Sequence, residues 1–368
     1  MPPVSVLIKP ASGSCNMRCN YCFYADEMHN RSVAVRGVMD DATTENIIKK
    51  ALSYATHTCD FGFQGGEPTL AGLDYFARFA ELCDKYNVNG VKLSYALQTN
   101  GLVIDGEWAK FFKKRNFLIG LSLDGPRDIN DYNRLDAGGV SVFARVMRAA
   151  EALRADNVDF NILTVVTKQT ARHIQKVYSF LTKNGFAYQQ YIPCLDPFTQ
   201  QRGSMPYSLT PAEYGKFLRS LFDMWVADRK KGKYVYIRYF ENLAGMLQGH
   251  EPESCDMCGH CLSQYVVESD GSVYPCDFYM LDDWLIGNLN SDSFEQLENN
   301  PRRMEFINAS LKPHEDCASC SVRSSCRGGC RRHRQENLTS EIGKNYFCEA
   351  YKSFLSYALP IMANAIRP

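Results

Sequence analysis

Three closely spaced cysteines near the start of the chain are the residues best suited to chemistry. Cys15, Cys19 and Cys22 have the spacing C-x3-C-x2-C. A [4Fe–4S] cluster normally takes four cysteines, so three thiolates leave one iron with an open coordination position, which is typical of a catalytic metal site. The alternative is a zinc site, for which His29 is the nearby candidate for a fourth ligand.

Further cysteines lie in the C-terminal third. Cys261 and Cys276 enclose a predicted hairpin that has Gly271 in its turn. Beyond them, Cys317, Cys320, Cys326 and Cys330 read C-x2-C-x5-C-x3-C, and Cys348 follows. Cys258 lies three residues from both Cys255 and Cys261, so it could replace either of them as a ligand. Two zinc sites are the competing interpretation, because paired C-x2-C spacings also occur in zinc ribbons.

Composition and charge indicate where such a chain works. The N-terminus lacks a signal-peptide pattern, and no apolar run approaches about 18 residues. The 41 basic and 41 acidic side chains cancel. These features predict a cytoplasmic protein with neither a nucleic-acid nor a membrane partner. In that reducing compartment, 15 cysteines indicate metal binding rather than disulfides.

The elements that must position these cysteines alternate along the first 195 residues. Apolar, β-rich runs predict strands at 5–9, 60–64, 91–98, 117–123, 159–167 and 188–193. Amphipathic patterns predict helices at 41–55, 75–86, 107–114, 141–155 and 171–184. About six strand–helix repeats predict an α/β fold whose parallel sheet closes, or nearly closes, into a barrel. The run Thr210-Pro211-Ala212-Glu213 predicts the start of a helix that bridges two domains.

Polar residues follow several predicted strands. Gly65, Gly66 and Glu67 follow the second strand, Gln98 and Asn100 end the third, and Ser122 ends the fourth. The carboxyl ends of barrel strands meet at one mouth, so these groups are predicted to share one ligand site.

The cysteine triad, with Tyr21 before its third member, resembles the radical S-adenosylmethionine (SAM) superfamily, whose signature is C-x3-C-x-aromatic-C. The resemblance implies a partial (βα)6 TIM-like barrel and a unique iron that chelates SAM, which yields a 5′-deoxyadenosyl radical. It implies SAM-binding roles for Tyr21, Gly65, Gly66, Glu67, Gln98, Asn100, Ser122, Arg134 and Leu195. For Arg134, the alternative is a surface salt bridge.

The C-terminal cysteine pattern resembles the SPASM domain, a cysteine-rich extension that binds two auxiliary [4Fe–4S] clusters. By that resemblance, Cys255, Cys261, Cys276 and Cys330 ligate the first cluster, and Cys317, Cys320, Cys326 and Cys348 ligate the second. Closed clusters of this kind suit electron transfer. The predicted domains are a barrel over residues 1–196, a linker with bridging helices over 197–254, and a SPASM-type domain with a C-terminal helix over 255–368.

Among SPASM proteins, the whole chain resembles the anaerobic sulfatase-maturating enzymes, through residues 7–12, 63–70 and 272–279. This implies oxidation of a Cys or Ser in a Cys/Ser-x-Pro-x-Arg segment of a sulfatase to Cα-formylglycine, with a flavodoxin or ferredoxin as electron donor. The reaction needs a base beside an electron acceptor, and Asp277 directly follows Cys276. The resemblance makes Asp277 the catalytic base; the alternative is a turn aspartate bonded to its own backbone.

Two other functions stay open at this point. A SPASM peptide maturase that forms thioether or carbon–carbon crosslinks often carries an N-terminal leader-recognition domain, for which the residues before Cys15 leave no room. A zinc-binding adaptor without catalytic activity is the second alternative.

Two sequence features are less specific. Tyr234, Tyr236, Tyr239 and Phe240, around Arg238, are candidates to line a peptide groove, although strand packing explains alternating aromatics equally well. The basic run at 327–334 has no assigned role, and a solvated face is its usual explanation.

Overall fold

The computed structural model describes residues 3–262 and 264–366. They form two compact units. The first contains the described residues up to Ser122, Arg134–Phe160 and residues 264–306, and the second contains Leu123–Asn133, Asn161–Leu262 and residues 307–366. The domain boundaries drawn from the sequence, near residues 196 and 254, stay predictions.

All six predicted runs are strands to within two residues at their ends, and the described residues contain twelve strands in all. They are β1 (Val4–Ile8), β2 (Met17–Cys19), β3 (Thr58–Phe63), β4 (Lys92–Thr99), β5 (Phe117–Ser122), β6 (Arg134–Asp136), β7 (Phe160–Val166), β8 (Tyr188–Pro193), β9 (Tyr236–Ile237), β10 (Tyr265–Val267), β11 (Ser272–Tyr274) and β12 (Gly287–Asn288).

In the first unit, β12, β11, β10, β1, β3, β4 and β5 lie side by side in that order. β1, β3, β4 and β5 are parallel to their neighbours, and β10 adds to β1 as a further parallel strand. In the second unit, β7, β8 and β9 are parallel. Parallel strands joined by helices confirm the predicted α/β class.

The α-helices are α1 (Phe23–His29), α2 (Asp41–Tyr54), α3 (Leu73–Tyr86), α4 (Gly106–Lys114), α5 (Arg127–Asn133), α6 (Phe143–Ala155), α7 (Lys168–Arg172), α8 (Ile174–Lys183), α9 (Pro211–Lys230), α10 (Arg238–Leu247), α11 (Phe294–Glu298), α12 (Pro301–Leu311), α13 (Arg323–Cys326), α14 (Arg331–Arg334) and α15 (Cys348–Ile366). Among the described residues, no helix is long and apolar enough to span a membrane.

Local sequence explains where several of these elements begin and end. Thr210 and Glu213 form the predicted capping box at the start of α9, with Pro211 in the first turn. The predicted helix over 171–184 is wrong as a single element. His173 leaves helical geometry, with φ −115° and ψ 24°, so α7 ends before it and α8 begins after it.

Aromatic side chains fill both cores. In the first unit, Phe61 and Phe63 of β3 are buried and each packs edge-on against Phe79 of α3, at 5.1 and 4.9 Å between ring centroids. In the second unit, α9 packs on α7, α8 and α15. The isolated cysteines Cys59, Cys83 and Cys194 are buried, as expected of small core residues.

Candidate active site

The cysteine triad lies in the segment between β1 and α1. Cys15 accepts hydrogen bonds from the Met17 backbone N–H at 3.4 Å and from Asn100 Nδ2 at 3.8 Å. Cys19 ends β2, and Cys22 is the residue directly before α1. Asn100 follows β4, so the end of that strand holds the start of the triad, as the barrel-mouth prediction requires.

The Gly65-Gly66 pair brings the backbone after β3 against the segment that precedes Cys15. A Cβ at Gly66 would lie 2.1 Å from the Ser14 carbonyl oxygen, so only glycine fits there. Gly65 has φ +127°, a conformation that favours glycine. The Gly66 N–H donates to Ser12 O at 2.9 Å. The two glycines therefore fix the path of the chain into Cys15.

Glu67 is buried, and its carboxylate is occupied by protein donors. Thr69 and Thr99 hydroxyls donate to Oε1 at 2.6 and 2.7 Å, and the Asn100 N–H donates to Oε2 at 2.7 Å. Burial raises the pKa of Glu67, while these hydrogen bonds lower it. The side chain ties the end of β3 to the end of β4, so contact between Glu67 and a ligand would involve its backbone.

Gln98 and Ser122 meet at the ends of β4 and β5. Gln98 Nε2 donates to Ser122 Oγ at 2.9 Å. A Cβ at Gly120 would lie 2.1 Å from Gln98 Oε1, so this glycine makes space for the amide. The structure thus brings together two of the predicted SAM-binding side chains.

Arg134 is buried, which makes the surface salt bridge interpretation wrong. Arg134 is the first residue of β6 and pairs with Cys19 of β2. Its Nη1 donates a hydrogen bond to the Tyr21 hydroxyl at 3.0 Å. Desolvation raises the pKa of both Cys15 and Cys22, and the positive charge of Arg134 offsets part of that rise. A buried guanidinium beside the triad can stabilise thiolates and hold a ligand carboxylate.

Leu195 belongs to the second unit and follows β8 by two residues. Its predicted contact with adenine stays a prediction.

Desolvation, together with Glu67 and Cys22, raises the pKa of the Cys15 thiol to about 11. Burial likewise raises the pKa of Cys22. Free thiolates are therefore disfavoured here, whereas a bound metal stabilises them. This donor set fits an iron–sulfur cluster better than a zinc ion, because His29 lies exposed at the end of α1.

Asp277 begins a short 3-10 turn directly after Cys276. The Lys9 ammonium forms an ion pair with Asp277 Oδ1, and the Tyr24 hydroxyl donates to the same oxygen at 2.7 Å. The Lys9 side chain is 1% exposed and the Asp277 side chain 13%. Within the described residues no hydrogen bond reaches Oδ2, so that oxygen can accept a proton. The turn-aspartate interpretation is wrong, because side chains from distant parts of the chain hold this carboxylate.

Glu27 extends this polar cluster. It is buried on α1, and desolvation and the neighbouring Asp277 raise its pKa well above the usual range, while Lys9 and Arg31 lower it. Arg31 also pairs with Glu268 at 2.8 Å.

Sequence reasoning missed Lys9, Tyr24 and Glu27 as neighbours of Asp277. One usable signal existed for Lys9, which directly follows the first strand of the predicted barrel, where functional residues concentrate. Tyr24 lies two residues beyond Cys22, but nothing local connects it with a residue more than 250 positions away.

The last cysteine set surrounds a cavity in the second unit. Cys317, Cys320, Cys326 and Cys348 all line a cavity of about 240 Å³. The pKa of Cys326 is raised to about 11, mainly by burial and also by the neighbouring thiols of Cys348, Cys317 and Cys320. Four converging thiols around one cavity fit a closed cluster.

Three of the four cysteines predicted for the other auxiliary cluster also converge. Desolvation of the thiol raises the pKa of Cys255, and the thiols of Cys330, Cys261 and Cys258 raise it further. The Arg332 N–H donates to Cys330 Sγ at 3.3 Å. Cys276 belongs to the first unit, so its place in this set stays a prediction.

Cys258 differs from this group. Apart from desolvation, its pKa responds to Arg327, Glu251 and Asp256 rather than to Cys330 or Cys261. It lines an open cavity of about 760 Å³, whose lining also includes Cys317 and Cys320 of the last cysteine set. These surroundings favour Cys255 and Cys261 as ligands over Cys258.

Of the residues predicted to line a peptide groove, Phe240 is excluded, and the role of Tyr234, Tyr236 and Tyr239 stays a prediction. Phe240 is fully buried and packs against Phe222, Trp225 and Phe354, so it is a core residue. Tyr234 is 60% exposed, and β9 covers only Tyr236–Ile237 before α10 begins, which ends the strand alternation.

Comparison with known proteins adds the family. The radical SAM superfamily model matches residues 10–181, and the SPASM model, an iron–sulfur cluster-binding domain, matches residues 255–321. The chain is 47% identical to the cysteine-type anaerobic sulfatase-maturating enzyme of Clostridium perfringens (strain 13 / Type A), covering 99% of this chain and 98% of that protein. It is 31% identical to the serine-type enzyme of Klebsiella pneumoniae, covering 96% and 87%.

A solved structure described as native anSMEcpe with bound AdoMet and Kp18Cys peptide matches with a TM-score of 0.95 and 47% identity, covering 99% of each chain. These matches confirm the predicted radical SAM barrel with a SPASM extension, and with it the iron–sulfur and SAM cofactors. The zinc-binding adaptor is wrong, because the chain matches enzymes over its full length. Formylglycine formation is the activity of the matched enzymes. The peptide-crosslinking alternative is therefore wrong. The chain therefore belongs to the anaerobic sulfatase-maturating enzymes.

Proposed function

We propose that this chain oxidises a cysteine, in preference to a serine, within a Cys-x-Pro-x-Arg segment of a sulfatase. The preference is supported by the relatives, since the cysteine-type enzymes are 47% identical to this chain and the serine-type enzymes are 28–31% identical. Three clusters would serve the reaction: one on Cys15, Cys19 and Cys22, and two on the C-terminal cysteine sets.

The observation that carries the proposal is the Asp277 carboxylate. Lys9 and Tyr24 both hold Oδ1, which fixes the orientation of the group and leaves Oδ2 to take the proton of the target thiol. Its covalent neighbour Cys276 is a proposed ligand of an auxiliary cluster. Proton and electron would thus leave the substrate toward adjacent groups.

The cofactors, when bound, supply abstraction of a Cβ hydrogen and an acceptor for the released electron. Around them, Arg134 and Tyr21 would grip the SAM carboxylate beside the triad. Gly65, Gly66 and the Glu67 backbone would face its amino group, and Gln98, Asn100 and Ser122 its ribose. Leu195 would contact the adenine.

The balance for a cysteine is simple. Loss of one Cβ hydrogen, one thiol proton and one electron converts CH2–SH to a thioaldehyde, and water then replaces sulfur and releases hydrogen sulfide. A flavodoxin or ferredoxin would supply reducing electrons. A cytoplasmic site for the reaction is supported by the 15 free cysteines, which need a reducing compartment.

The test uses the reconstituted enzyme under anaerobic conditions with reductant, SAM and three peptides that differ at one position, Cys, Ser or Ala. A mass loss of about 18 Da on the Cys peptide, faster than the change on the Ser peptide, is expected. The Ala peptide is the control for uncoupled 5′-deoxyadenosine release. Equal rates for Cys and Ser would contradict the preference, and 5′-deoxyadenosine without any peptide change would contradict the substrate assignment.

A further inference from the structure

The basic run after the C-terminal cysteines is buried rather than solvated. Arg331, Arg332 and Arg334 are each 5% exposed and His333 is 8% exposed. The solvated-face interpretation is therefore wrong for these four residues. Burying several cations within one turn is costly unless they meet compensating groups.

Arg334 is compensated by backbone carbonyls. Its guanidinium donates to Ser310 O at 2.9 Å, to Gly343 O at 3.3 Å and to Lys312 O. No Asp or Glu among the described residues forms an ion pair with it. Its positive charge is thus desolvated and not neutralised by a carboxylate.

The same side chain adjoins both proposed auxiliary cluster sites. Arg334 lines the cavity that Cys317, Cys320, Cys326 and Cys348 surround. On its other side it binds Ser310, whose hydroxyl accepts the Cys261 N–H at 2.8 Å. Burial lowers the pKa of Arg334, and the thiols of Cys317, Cys261 and Cys330 raise it, so members of both sets lie within electrostatic range of this cation.

The neighbouring arginine serves a different purpose. Arg332 donates to Asp196 O at 2.6 Å and stacks over the Phe198 ring at 3.5 Å, so it holds the segment after β8. Arg334 is the arginine of the run that lines the cluster cavity, and desolvation raises the pKa of Cys261 while Arg331 and Arg334 both lower it.

We propose that Arg334 raises the reduction potentials of both auxiliary clusters and so makes them better acceptors for the substrate electron. A cluster with four thiolates becomes more negative on reduction, and a nearby buried cation favours that added charge. Because the surroundings are desolvated, the effect is screened less than that of an exposed charge. The proposal rests on the cysteine sets of the proposed function.

The experiment is a redox titration followed by electron paramagnetic resonance, on full-length protein with all clusters reconstituted. Arg334→Gln removes the charge, and Arg334→Lys keeps it. Arg323→Gln is the matched control, since Arg323 lines the same cavity but is exposed. The SAM cluster in the same sample is the internal reference.

Both auxiliary potentials are expected to move to more negative values in Arg334→Gln, with little change in Arg334→Lys, in Arg323→Gln or in the SAM cluster. Unchanged auxiliary potentials in Arg334→Gln would overturn the proposal, as would an equal shift in Arg334→Lys. Loss of auxiliary iron from Arg334→Gln would assign a structural role instead and also overturn it. Wild-type protein that binds iron only at the triad would contradict the proposed cysteine sets, a separate failure.

Discussion

The two best-defined cysteine sets differ in how the chain positions them. The triad of the first unit has three thiols, and strand-end residues such as Asn100 contact it directly. The set of the second unit has four thiols, Cys317, Cys320, Cys326 and Cys348, carried on short turns and the start of α15 around one cavity. Three thiols on a rigid frame leave an iron free for a substrate, whereas four thiols close the cluster and suit it to passing electrons.

This contrast extends to the polar groups nearby. The first unit places polar side chains next to the triad or at the ends of neighbouring strands, among them Arg134, Gln98 and Ser122. The four-thiol cavity has Arg334, whose donors are already bound to backbone carbonyls. The first set therefore suits chemistry on a bound molecule, and the second suits the control of charge that we propose.

Removing one cysteine from each set gives the largest expected effect and tests the contrast directly. Cys19→Ala should abolish both peptide oxidation and 5′-deoxyadenosine release, because the open iron is lost. Cys348→Ala should lower peptide oxidation strongly while 5′-deoxyadenosine release continues. Each variant should lose about a third of the iron, measured by metal analysis.

The matched control for both is Cys83→Ala, which changes a buried cysteine in the core of the first unit. It should keep its full iron content. The contrast between open and closed sets would be wrong if Cys348→Ala also lost all 5′-deoxyadenosine release with its triad cluster intact.

Replacing the proposed base comes next in size. Asp277→Asn keeps the shape but cannot accept a proton, so peptide oxidation should fall by about 10²–10⁴-fold. Release of 5′-deoxyadenosine should persist, since the triad is untouched. Asp283→Asn, at an exposed carboxylate six residues away, is the control and should behave as wild type.

A loss of 5′-deoxyadenosine release in Asp277→Asn equal to the loss of product would instead give Asp277 a role in assembling the SAM site. The two assays, run on the same samples by mass spectrometry, separate these outcomes.

Much of the fold and of the triad site could be predicted from the sequence because the signals are local. The triad spacing, the capping box at Thr210 and the hairpin turn at Gly271 each depend on a few consecutive residues. Gly271 has φ +84°, as its position in the turn between β10 and β11 requires. The strand predictions deviate from the structure by one or two residues at their ends, where fraying and local turns decide the boundary.

The remaining features of the fold and the site depend on contacts between residues distant in sequence, which a periodic pattern cannot predict. β10 pairs in parallel with β1, so Ile8 lies beside Val267 and Lys9 reaches Asp277. The burial of Arg334 was equally invisible, because the backbone carbonyls that compensate its charge lie 9 to 24 residues away in sequence. A basic run looks the same in sequence whether water or carbonyls surround it.

Glu67→Gln tests whether the rigid frame of the first unit holds the triad in place. The carboxylate accepts four hydrogen bonds, from the Thr69 N–H, the Thr69 and Thr99 hydroxyls and the Asn100 N–H. A glutamine has one acceptor oxygen, and its amide nitrogen cannot accept the hydrogen bonds made to the second oxygen. Unfolding should become easier by about 1–3 kcal/mol. Thermal unfolding of the variant, with the exposed Glu151→Gln as control, measures this.

The destabilisation caused by Glu67→Gln should be confined to the first unit, because Glu67 accepts the Asn100 N–H and Asn100 contacts Cys15. Iron bound at the triad should therefore become more labile to chelation, whereas iron at the second unit should not. Equal lability at every site would mean that Glu67 has a general structural role.

The smallest expected effect is at Cys258. This thiol lines an open cavity, and its hydrogen bonds to described residues are long ones to the carbonyls of Pro252 and Ser254, at 3.9 and 3.6 Å. Cys258→Ala should thus keep its iron, its auxiliary signals and its activity, whereas Cys255→Ala should lose one auxiliary cluster. Iron analysis and electron paramagnetic resonance of the two variants decide the ligand. Loss of the cluster from Cys258→Ala with retention in Cys255→Ala would reverse the assignment, and it would mean that metal binding reorganises the turn at Cys255–Met257.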